Sequence, residues 1–541
     1  MSEDAVNIEQ IKKNKDGLDI LGDIYRYSAS GNLQIAPEDE ALFRWYGIYT
    51  QRPAEDGMFM VRIRVPGGDL SPKQVRVVAD LATEHGRDLV DITVRQNFQL
   101  HWVRVDSLAD ILDRLREVGL STTEACGDCV RNILNCPVSG VDADELYDTT
   151  ALIREVNDLF EGNREFSNLP RKFKIAITGC PVHCVYPEIN DIGIFAVRTE
   201  NGQAAFRARI GGGLSTTPRF SKDLGVLIEP SDVVELCATI AAVFRDEGNR
   251  ENRKKARLKF LVEQWEIPRF RDEIESRLGR KLKRAPDPDA APVVERDRAH
   301  LGVNRQAVPG LSYVGLSVLG GRTSGTALRQ LADLATEYGS GRIRTTNTQN
   351  IILLDVPDAN LTHLERELDR TGFDYRPGWS KKAIIACSGI QFCKLALAET
   401  KNRAAELNSI LEQSGGMPDA VRISVTGCPN SCGQHHICDV GLEGSTTTID
   451  GAKRETFQVF LGGGVGVHET FGRRIGLRIP SENLGESLAR LFSKYKEERR
   501  ATETFQEFCL RQSNQELSEA LTGISIPTQS ELVCDAASAS V

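Results

Sequence analysis

The chain has 541 residues, of which 40% are hydrophobic and 26% charged, and its formal net charge is −9. That length suggests three or four domains of about 150 residues, and the negative charge argues against wholesale binding to nucleic acid. The start of the chain is polar, and no apolar run approaches the ~18 residues of a membrane span, so we expect a cytoplasmic protein without a membrane segment. Thirteen cysteines in such a chain favour metal ligation or buried thiols over a disulfide framework.

After an N-terminal extension (1–50), the sequence alternates between strand and helix patterns. MFMVRIRVPGG alternates like a strand, and SPKQVRVVADLATEHG reads as a helix with Ser71 as N-cap and Pro72 in the first turn. DLVDITVRQNFQLHWV is again strand-like, and SLADILDRLREVG is a second amphipathic helix that ends at Gly119. This order predicts a small α+β module of ferredoxin-like type over residues 51–121.

The chain repeats itself once. ADLATEHG (79–86) returns as ADLATEYG (332–339), Gln96–Asn97 return as Gln349–Asn350, and TGCPVHC (178–184) returns as TGCPNSC (426–432). These matches keep one order at offsets of 248 to 253 residues, which indicates a domain duplication rather than a solenoid. The predicted parts are two ferredoxin-like halves (51–121 and 305–376), two glycine- and cysteine-bearing domains (122–283 and 377–515), a linker (284–304), and a tail (516–541).

Two cysteine pairs in the second copy have the spacing of a soft-metal site. Cys387 and Cys393 precede a helix-forming run, while Cys428 and Cys432 follow a strand and lie in a turn with Gly427 and Pro429. Four thiolates suit a [4Fe–4S] cluster or a structural zinc ion. Zinc ligands usually come as C-x2-C or C-x4-C knuckles, so the spacing favours iron–sulfur. Zinc and unligated cysteines remain alternatives.

CSGIQFCKLALAETK together with TGCPNSC resembles the siroheme- and [4Fe–4S]-containing nitrite/sulfite reductases, over roughly residues 40–515. The resemblance implies an internally duplicated α+β fold, with two ferredoxin-like half-domains and two cluster-type domains around a pseudo-twofold axis. It implies one siroheme and one [4Fe–4S] cluster. By position, Cys387, Cys393, Cys428 and Cys432 would ligate the cluster, and Cys432 would be shared with the siroheme iron.

The same resemblance assigns a set of polar residues, mostly in the first copy, to the anion and the cofactor. Sulfite and nitrite are small oxyanions, and a site for them concentrates Arg and Lys where water is excluded. The implied substrate cations are Arg62, Arg131, Lys172 and Lys174. The implied groups on the cofactor side are Arg64, Arg95, Gln99, His101, Asn347, Gln349 and Asn350. One composite site would thus take its cations from the first copy and its cysteines from the second.

Lys174 in the PRKFK stretch decides which substrate we predict. In the resembling family, sulfite reductases tend to have two lysines here and nitrite reductases tend to have Asn at the second. We therefore expect six-electron reduction of sulfite to sulfide, although CSGIQFC looks more like the nitrite-reductase cluster motif. The alternatives are reduction of nitrite to ammonia, the corrin-biosynthesis branch of the superfamily, and a non-catalytic metal-stabilised binding protein.

The glycine runs GGGLS (211–215) and GGGVG (462–466) do not form a dinucleotide-binding turn, so we expect a separate one-electron donor such as ferredoxin. Residues 250–284 hold 13 Lys/Arg against 6 Asp/Glu. They form either a solvated helical face or a basic dock for an acidic carrier. We expect a monomer.

The first copy also carries cysteines. We interpret them as buried thiols in an inactive copy, with Cys126 and Cys129 near the substrate channel. The alternative is a second cluster at Cys129, Cys136, Cys180 and Cys184. Cys237, Cys438, Cys509 and Cys534 lack partners at ligand spacing and are predicted to be structural.

Overall fold

The computed structural model describes residues 7–31, 33–286, 299–415 and 417–524. Residues 287–298 of the predicted linker, Cys534 and the stretch from Ser525 onward lie outside these ranges. The chain divides into two compact units. Unit 1 comprises the described residues up to Pro377 together with Ile390–Lys394 and Val465–Val467, and unit 2 comprises the remainder. Within the described ranges, no helix is both long and apolar enough to cross a membrane.

The N-terminal extension of unit 1 is helical and packs on the domains that follow it. Trp45 is almost fully buried, and its indole Nε1 donates to the Ser167 carbonyl at 2.7 Å. Ile20, Ile24 and Phe43 have no exposed surface and belong to the largest hydrophobic core. The helices are α1 (Ile8–Asn14), α2 (Leu21–Ser30) and α3 (Pro37–Phe43).

The first ferredoxin-like half contains the predicted elements, with one addition. The predicted Ser71 cap is confirmed, because its side chain accepts from the Gln74 N–H and Gln74 returns the bond. The run DLVDITVRQNFQLHWV is two antiparallel strands joined by a turn, in which Gln96 has a φ of 59°. The elements are β1 (Ile48–Thr50), β2 (Phe59–Ile63), β3 (Asp69–Leu70), α4 (Pro72–His85), β4 (Leu89–Ile92), β5 (Phe98–Val103) and α5 (Leu108–Glu117).

The first cluster-type domain is a five-stranded mixed sheet covered by helices. Its strand order is β10-β9-β8-β7-β6, with β6, β7 and β8 parallel and the others antiparallel. The two short strands β11 and β12 pair beside it. The elements are β6 (Leu134–Asn135), α6 (Thr150–Phe160), β7 (Ile175–Thr178), β8 (Ile192–Arg198), β9 (Ala204–Ile210), β10 (Lys222–Asp223), β11 (Val226–Leu227), α7 (Val233–Glu247), α8 (Leu258–Leu278) and β12 (Lys283–Arg284).

The basic segment 250–284 is largely engaged in contacts within unit 1. Arg257 Nη2 lies 2.7 Å from the buried Asp191 carboxylate. Lys259 is buried and its Nζ donates to the Leu214 carbonyl at 2.9 Å, which holds the glycine-rich loop. Arg277 and Arg284 pair with acidic residues of the same unit. These pairs weaken the interpretation of the segment as a basic docking face.

The second ferredoxin-like half repeats the first and exchanges a strand with it. Strand β3 pairs with β16 of the second half, and its counterpart β15 pairs with β4 of the first. The two sheets are therefore β1-β2-β5-β4-β15 and β13-β14-β17-β16-β3. The elements are β13 (Gly302–Arg305), β14 (Leu311–Leu316), β15 (Arg322–Ser324), α9 (Gly325–Tyr338), β16 (Ile343–Thr345), β17 (Ile351–Pro357) and α10 (Leu361–Thr371).

Unit 2 holds the second cluster-type domain, with strand order β18-β19-β20-β21-β22. The tail predicted from residue 516 is wrong at its start: α16 continues to Thr522 and buries Leu517 and Leu521 completely. The elements from residue 379 onward are α11 (Trp379–Ala383), β18 (Ile384–Ala386), α12 (Gly389–Phe392), α13 (Lys401–Gln413), β19 (Ile423–Thr426), β20 (Val440–Ile449), β21 (Ala452–Leu461), β22 (Arg473–Pro480), α14 (Leu484–Glu498), α15 (Phe505–Arg511) and α16 (Asn514–Thr522).

Candidate functional site

One predicted substrate cation, Arg62, contacts a thiol and a phenol in unit 1, and a second, Arg131, acts on the phenol electrostatically. Arg62, on β2, donates from Nη1 to Cys126 Sγ, and its guanidinium lies 5.8 Å from the centre of the Tyr49 ring. Burial raises the pKa of Tyr49 well above its ordinary value; Cys126 adds to this, while Arg131 and Arg62 oppose it. Sequence reasoning did not find Tyr49, because a single tyrosine on a short strand carries no motif.

The backbone pairing of Phe173 determines where Lys172 and Lys174 lie. Phe173 pairs with Val130 in a parallel bridge, and its carbonyl accepts from the Arg131 N–H at 2.8 Å. Because Phe173 is fully buried and side chains alternate along an extended segment, Lys172 and Lys174 share the face turned away from the core. The structure thus brings the segment that carries both lysines directly beside Arg131.

A buried ion-pair network fixes both segments of this site. Asp128 is 2% exposed and accepts from Arg253 Nη1 at 2.8 Å, from Lys12 Nζ at 3.1 Å and from Arg171 Nη1 at 3.2 Å. Burial alone would raise the pKa of Asp128, but Arg253, Lys12 and Arg171 outweigh it and hold the pKa well below its usual range. The network ties α1 and the turn that precedes α8 to the residues next to Arg131 and Lys172.

Arg64 and Arg95, both predicted on the cofactor side, are held by protein acceptors. Arg64 is 1% exposed and donates to Asn157 Oδ1 at 3.0 Å and to the Val130 carbonyl at 3.1 Å. Arg95 donates to Asn190 Oδ1 at 3.0 Å. Burial, followed by repulsion from Arg131, lowers its pKa to about 9. Both arginines join the half-domain to the cluster-type domain.

His101 and Gln99 lie on β5. The His101 Nε2 is 3.1 Å from Asp91 Oδ2, and its ring stacks on Phe392 with centroids 3.8 Å apart. Gln99 lies opposite Arg62 in the strand register and contacts the Met60 sulfur at 3.3 Å. Gln99 is therefore the strand neighbour of a predicted substrate cation, whereas the His101 ring is paired with the buried Asp91 carboxylate.

One predicted amide of the second half, Gln349, joins the two ferredoxin-like halves, whereas Asn350 is bonded within its own half. Gln349 Nε2 donates to the Ile92 carbonyl at 2.8 Å, and its counterpart Gln96 donates to the Thr345 carbonyl at 3.0 Å. Asn350 Oδ1 accepts from the Val318 N–H at 2.9 Å. Both glutamines therefore make the same contact, each with the other half.

Asn347 is the amide with spare hydrogen-bonding capacity. Its Nδ2 donates to the Cys184 carbonyl at 2.7 Å, while its buried Oδ1 has no partner within the described ranges. A buried acceptor is normally satisfied.

Three predicted cluster cysteines lie in unit 2, and Cys393 lies in the Ile390–Lys394 segment of unit 1. Cys387 follows β18, and its Sγ accepts from the Gly427 N–H at 3.2 Å. Cys428 is buried, whereas Cys432 is exposed. A backbone N–H directed at a cysteine sulfur is the contact that stabilises a metal thiolate.

The loop around Cys432 has the features of a binding cradle. Ser431 Oγ and Gln434 Oε1 are buried and, among the described residues, have no hydrogen-bond partner. A Cβ at Gly433 would lie 2.8 Å from Thr426 Oγ1, so only glycine fits there. These orphaned acceptors and the available thiolates fit a polar, soft-metal-bearing group.

Glu124 adds a pH-dependent feature beside Cys129. Its Oε2 accepts from the Gly162 N–H at 2.8 Å, and burial raises its pKa from 4.5 to about 7. Between those two values the folded chain keeps a proton that the unfolded chain releases, so stability falls as pH rises from about 4.5 to about 7.

We expect Glu124→Gln to keep the Gly162 hydrogen bond and to remove this slope. The gain in unfolding free energy at pH 8 should be about 1–3 kcal/mol, with little gain at pH 4.5. Denaturant unfolding at both pH values measures it, with the exposed Glu117→Gln as control. An equal change at both pH values would contradict the prediction.

Comparisons with known proteins agree with this arrangement. The family model for the nitrite and sulphite reductase 4Fe-4S domain matches residues 126–282 and 379–523. The model for the nitrite/sulfite reductase ferredoxin-like half domain matches residues 51–118 and 304–371. The predicted duplicated fold is therefore confirmed.

Individual relatives match over nearly their whole length. "Sulfite reductase [ferredoxin]" of Mycobacterium tuberculosis is 38% identical over 536 residues, 94% of this chain and 95% of the relative. "Ferredoxin--nitrite reductase" of Leptolyngbya laminosa is 38% identical over 90% of this chain and 96% of the relative. The solved structure of M. tuberculosis NirA superposes with a TM-score of 0.90 at 37% identity, over 94% of this chain and 97% of that one. The chain belongs to the nitrite and sulphite reductase family.

Proposed function

We propose that the chain reduces sulfite to sulfide by six electrons at a siroheme coupled to a [4Fe–4S] cluster, with ferredoxin or a similar one-electron carrier as donor. The observation that carries the proposal is the cation set: Arg62 contacts Cys126 and Tyr49, Arg131 acts electrostatically on Tyr49, and the lysine-bearing segment pairs beside Arg131. The Mycobacterium relative named "Sulfite reductase [ferredoxin]" supports the same substrate.

Four cysteines would hold the cluster: Cys387, Cys393, Cys428 and Cys432. Cys432 would also ligate the siroheme iron, and the orphaned Ser431 Oγ and Gln434 Oε1 would gain partners. When bound, the two groups supply electrons one at a time to the substrate atom. The cysteine sulfurs that bind these groups need to be shielded from water, and they need hydrogen bonds from the protein. The Gly427 N–H supplies one such bond.

The chain's own residues bind the anion and move protons. The guanidinium groups of Arg62 and Arg131 present planar donors that suit two oxygens of an oxyanion. Lys172 and Lys174 present ammonium groups, which can donate a proton to each oxygen that leaves as water. Reduction of one sulfite dianion to hydrogen sulfide and three waters consumes six electrons and eight protons, so proton supply is as necessary as electron supply.

Nitrite is the second candidate substrate. The relatives from Leptolyngbya laminosa and Synechococcus elongatus, at 38% and 39% identity, are both named "Ferredoxin--nitrite reductase". Whole-chain identity therefore does not separate the two substrates, and the choice of sulfite depends on Lys174. A dianion gains more from a second ammonium group than a monoanion does.

Lys174→Asn should lower kcat/KM for sulfite at least tenfold more than kcat/KM for nitrite, since about 1.4 kcal/mol of differential binding is a tenfold change. The measurement is anaerobic turnover of both anions with a reduced dye, and then with reduced ferredoxin. Lys222→Asn, at an exposed lysine on β10, is the matched control and should change neither value. Equal losses for both anions would refute the role of Lys174, and a wild-type preference for nitrite would refute the proposed substrate.

A further inference from the structure

Three buried cysteine sulfurs meet in the first cluster-type domain. Cys136 follows β6, while Cys180 and Cys184 follow β7, and all three side chains are fully buried. Their Sγ atoms lie within 4.8 Å of one another. Cys129, which sequence analysis grouped with them as a second cluster, is not part of this close group, and its Sγ donates to the Cys126 carbonyl at 2.8 Å. The structure thus brings three of the four predicted cysteines together.

A histidine from the second half contacts one of these three cysteines. His300 lies just before β13 and is 6% exposed, and its Nε2 is 3.2 Å from Cys184 Sγ. Asp142 is the other nearby candidate, with its Oδ2 at 3.9 Å from Cys180 Sγ. No spacing rule could have found His300, because it is 116 residues from Cys184.

The distances favour one metal ion over a cubane cluster. Four ligands at the ~2.0–2.3 Å of Zn–N and Zn–S bonds in a tetrahedron lie roughly 3–4 Å from one another. The three sulfurs lie within 4.8 Å of one another and His300 Nε2 lies 3.2 Å from Cys184 Sγ, so one ion needs these side chains to close further around it. In a [4Fe–4S] cluster each thiolate binds a different iron, which spreads the sulfurs further apart.

Comparison of the two copies shows which cluster ligand the first copy does not have. Cys136, Cys180 and Cys184 correspond to Cys387, Cys428 and Cys432 at offsets of 251 and 248, but the counterpart of Cys393 is Asp142. The surroundings are closed and apolar, as in structural zinc sites. The packed neighbours are Val138, Val141, Val182, Tyr313, Ile352 and Leu354.

We propose that Cys136, Cys180, Cys184 and His300 bind one structural Zn²⁺. The ion clamps the loops after β6 and β7 to the start of β13, where the second half of the chain begins. Asn347 lies beside the clamp and bonds the Cys184 carbonyl. The proposal does not depend on which oxyanion the enzyme reduces.

The test is metal analysis of the full-length holoenzyme. We expect one zinc per chain, in addition to the iron of the cofactors, by inductively coupled plasma mass spectrometry. Cys136→Ser and His300→Ala should each lower zinc below a tenth of that value. Cys237→Ser, at a fully buried thiol outside the group, and Asp142→Asn should retain it.

X-ray absorption at the zinc edge of the wild-type enzyme keeps the proposal testable if a variant does not fold. Three sulfur ligands at ~2.3 Å and one nitrogen at ~2.0 Å are expected. Absence of zinc from the wild-type enzyme would overturn the proposal. So would about four additional irons per chain that Cys136→Ser removes, since that result would indicate a second cluster.

Discussion

Cys428→Ala is expected to abolish reduction of sulfite and nitrite together. In the proposed site Cys428 is one of the four cysteines that bind the cluster. No other cysteine lies among the three residues that follow β19, so none there can replace it. Loss of a metal-ligating thiolate should cost more than the ~10–100-fold typical of losing a group that only supports a ligand. The expected result is a loss of turnover of at least ~10³-fold, accompanied by loss of cluster iron.

The measurement combines iron content, the visible absorption of the purified enzyme and dye-linked turnover. Cys438→Ala is the matched control, since Cys438 is a buried thiol of the same unit that is not a proposed ligand. It should retain iron and activity. A Cys428→Ala enzyme with wild-type iron and turnover would contradict the assignment of the ligands.

Asp128→Asn is expected to destabilise unit 1 by about 3–5 kcal/mol, because a neutral amide leaves the surrounding cations without their buried counter-charge. The pKa of Asp128 is held well below its usual range, so the stabilisation is fully present above pH ~4 and disappears as pH falls through the folded pKa. The deficit of the variant should therefore be large at pH 7 and smaller near pH 3.

Denaturant unfolding monitored by tryptophan fluorescence at both pH values measures this effect. Asp333→Asn is the control, because the Asp333 side chain is 60% exposed and pairs with Arg76 at the surface. Surface pairs contribute only about 0–1 kcal/mol. A deficit for Asp128→Asn no larger than that of the control would contradict the structural role of the network.

The sequence predicted those features that depend on local patterns. The capping box at Ser71, the amphipathic helices and the duplication are all visible in residue spacing, and the resemblance then supplied the family. The turn at Gln96 was missed because its positive φ is imposed by contacts with the other half, and a sequence pattern carries no such information. Helix α16 was missed because Leu517 and Leu521 gain their burial only from tertiary packing.

The candidate site residues also separate into those that a local sequence pattern reveals and those that depend on tertiary packing. Motif positions led to the predicted cysteines and substrate cations, but motifs do not report what a side chain touches. Arg64 and Arg95 are bound by carbonyls and amides from distant segments, and Asp128 binds cations from α1, from the turn before α8 and from residue 171. Such long-range pairings depend on the packed fold, so a single sequence cannot reveal them.

The exchanged strands β3 and β15 bear on the origin of the chain. A half made alone would leave the edge of its sheet uncovered, and a second copy of that half could supply the missing strand. Two identical copies arranged in this way would form a twofold dimer with a swapped element, a low-cost route to association. Fusing the two copies keeps that interface within one polypeptide and frees each half to change separately. One half could then replace a cluster cysteine with an aspartate while the other half kept its cysteine.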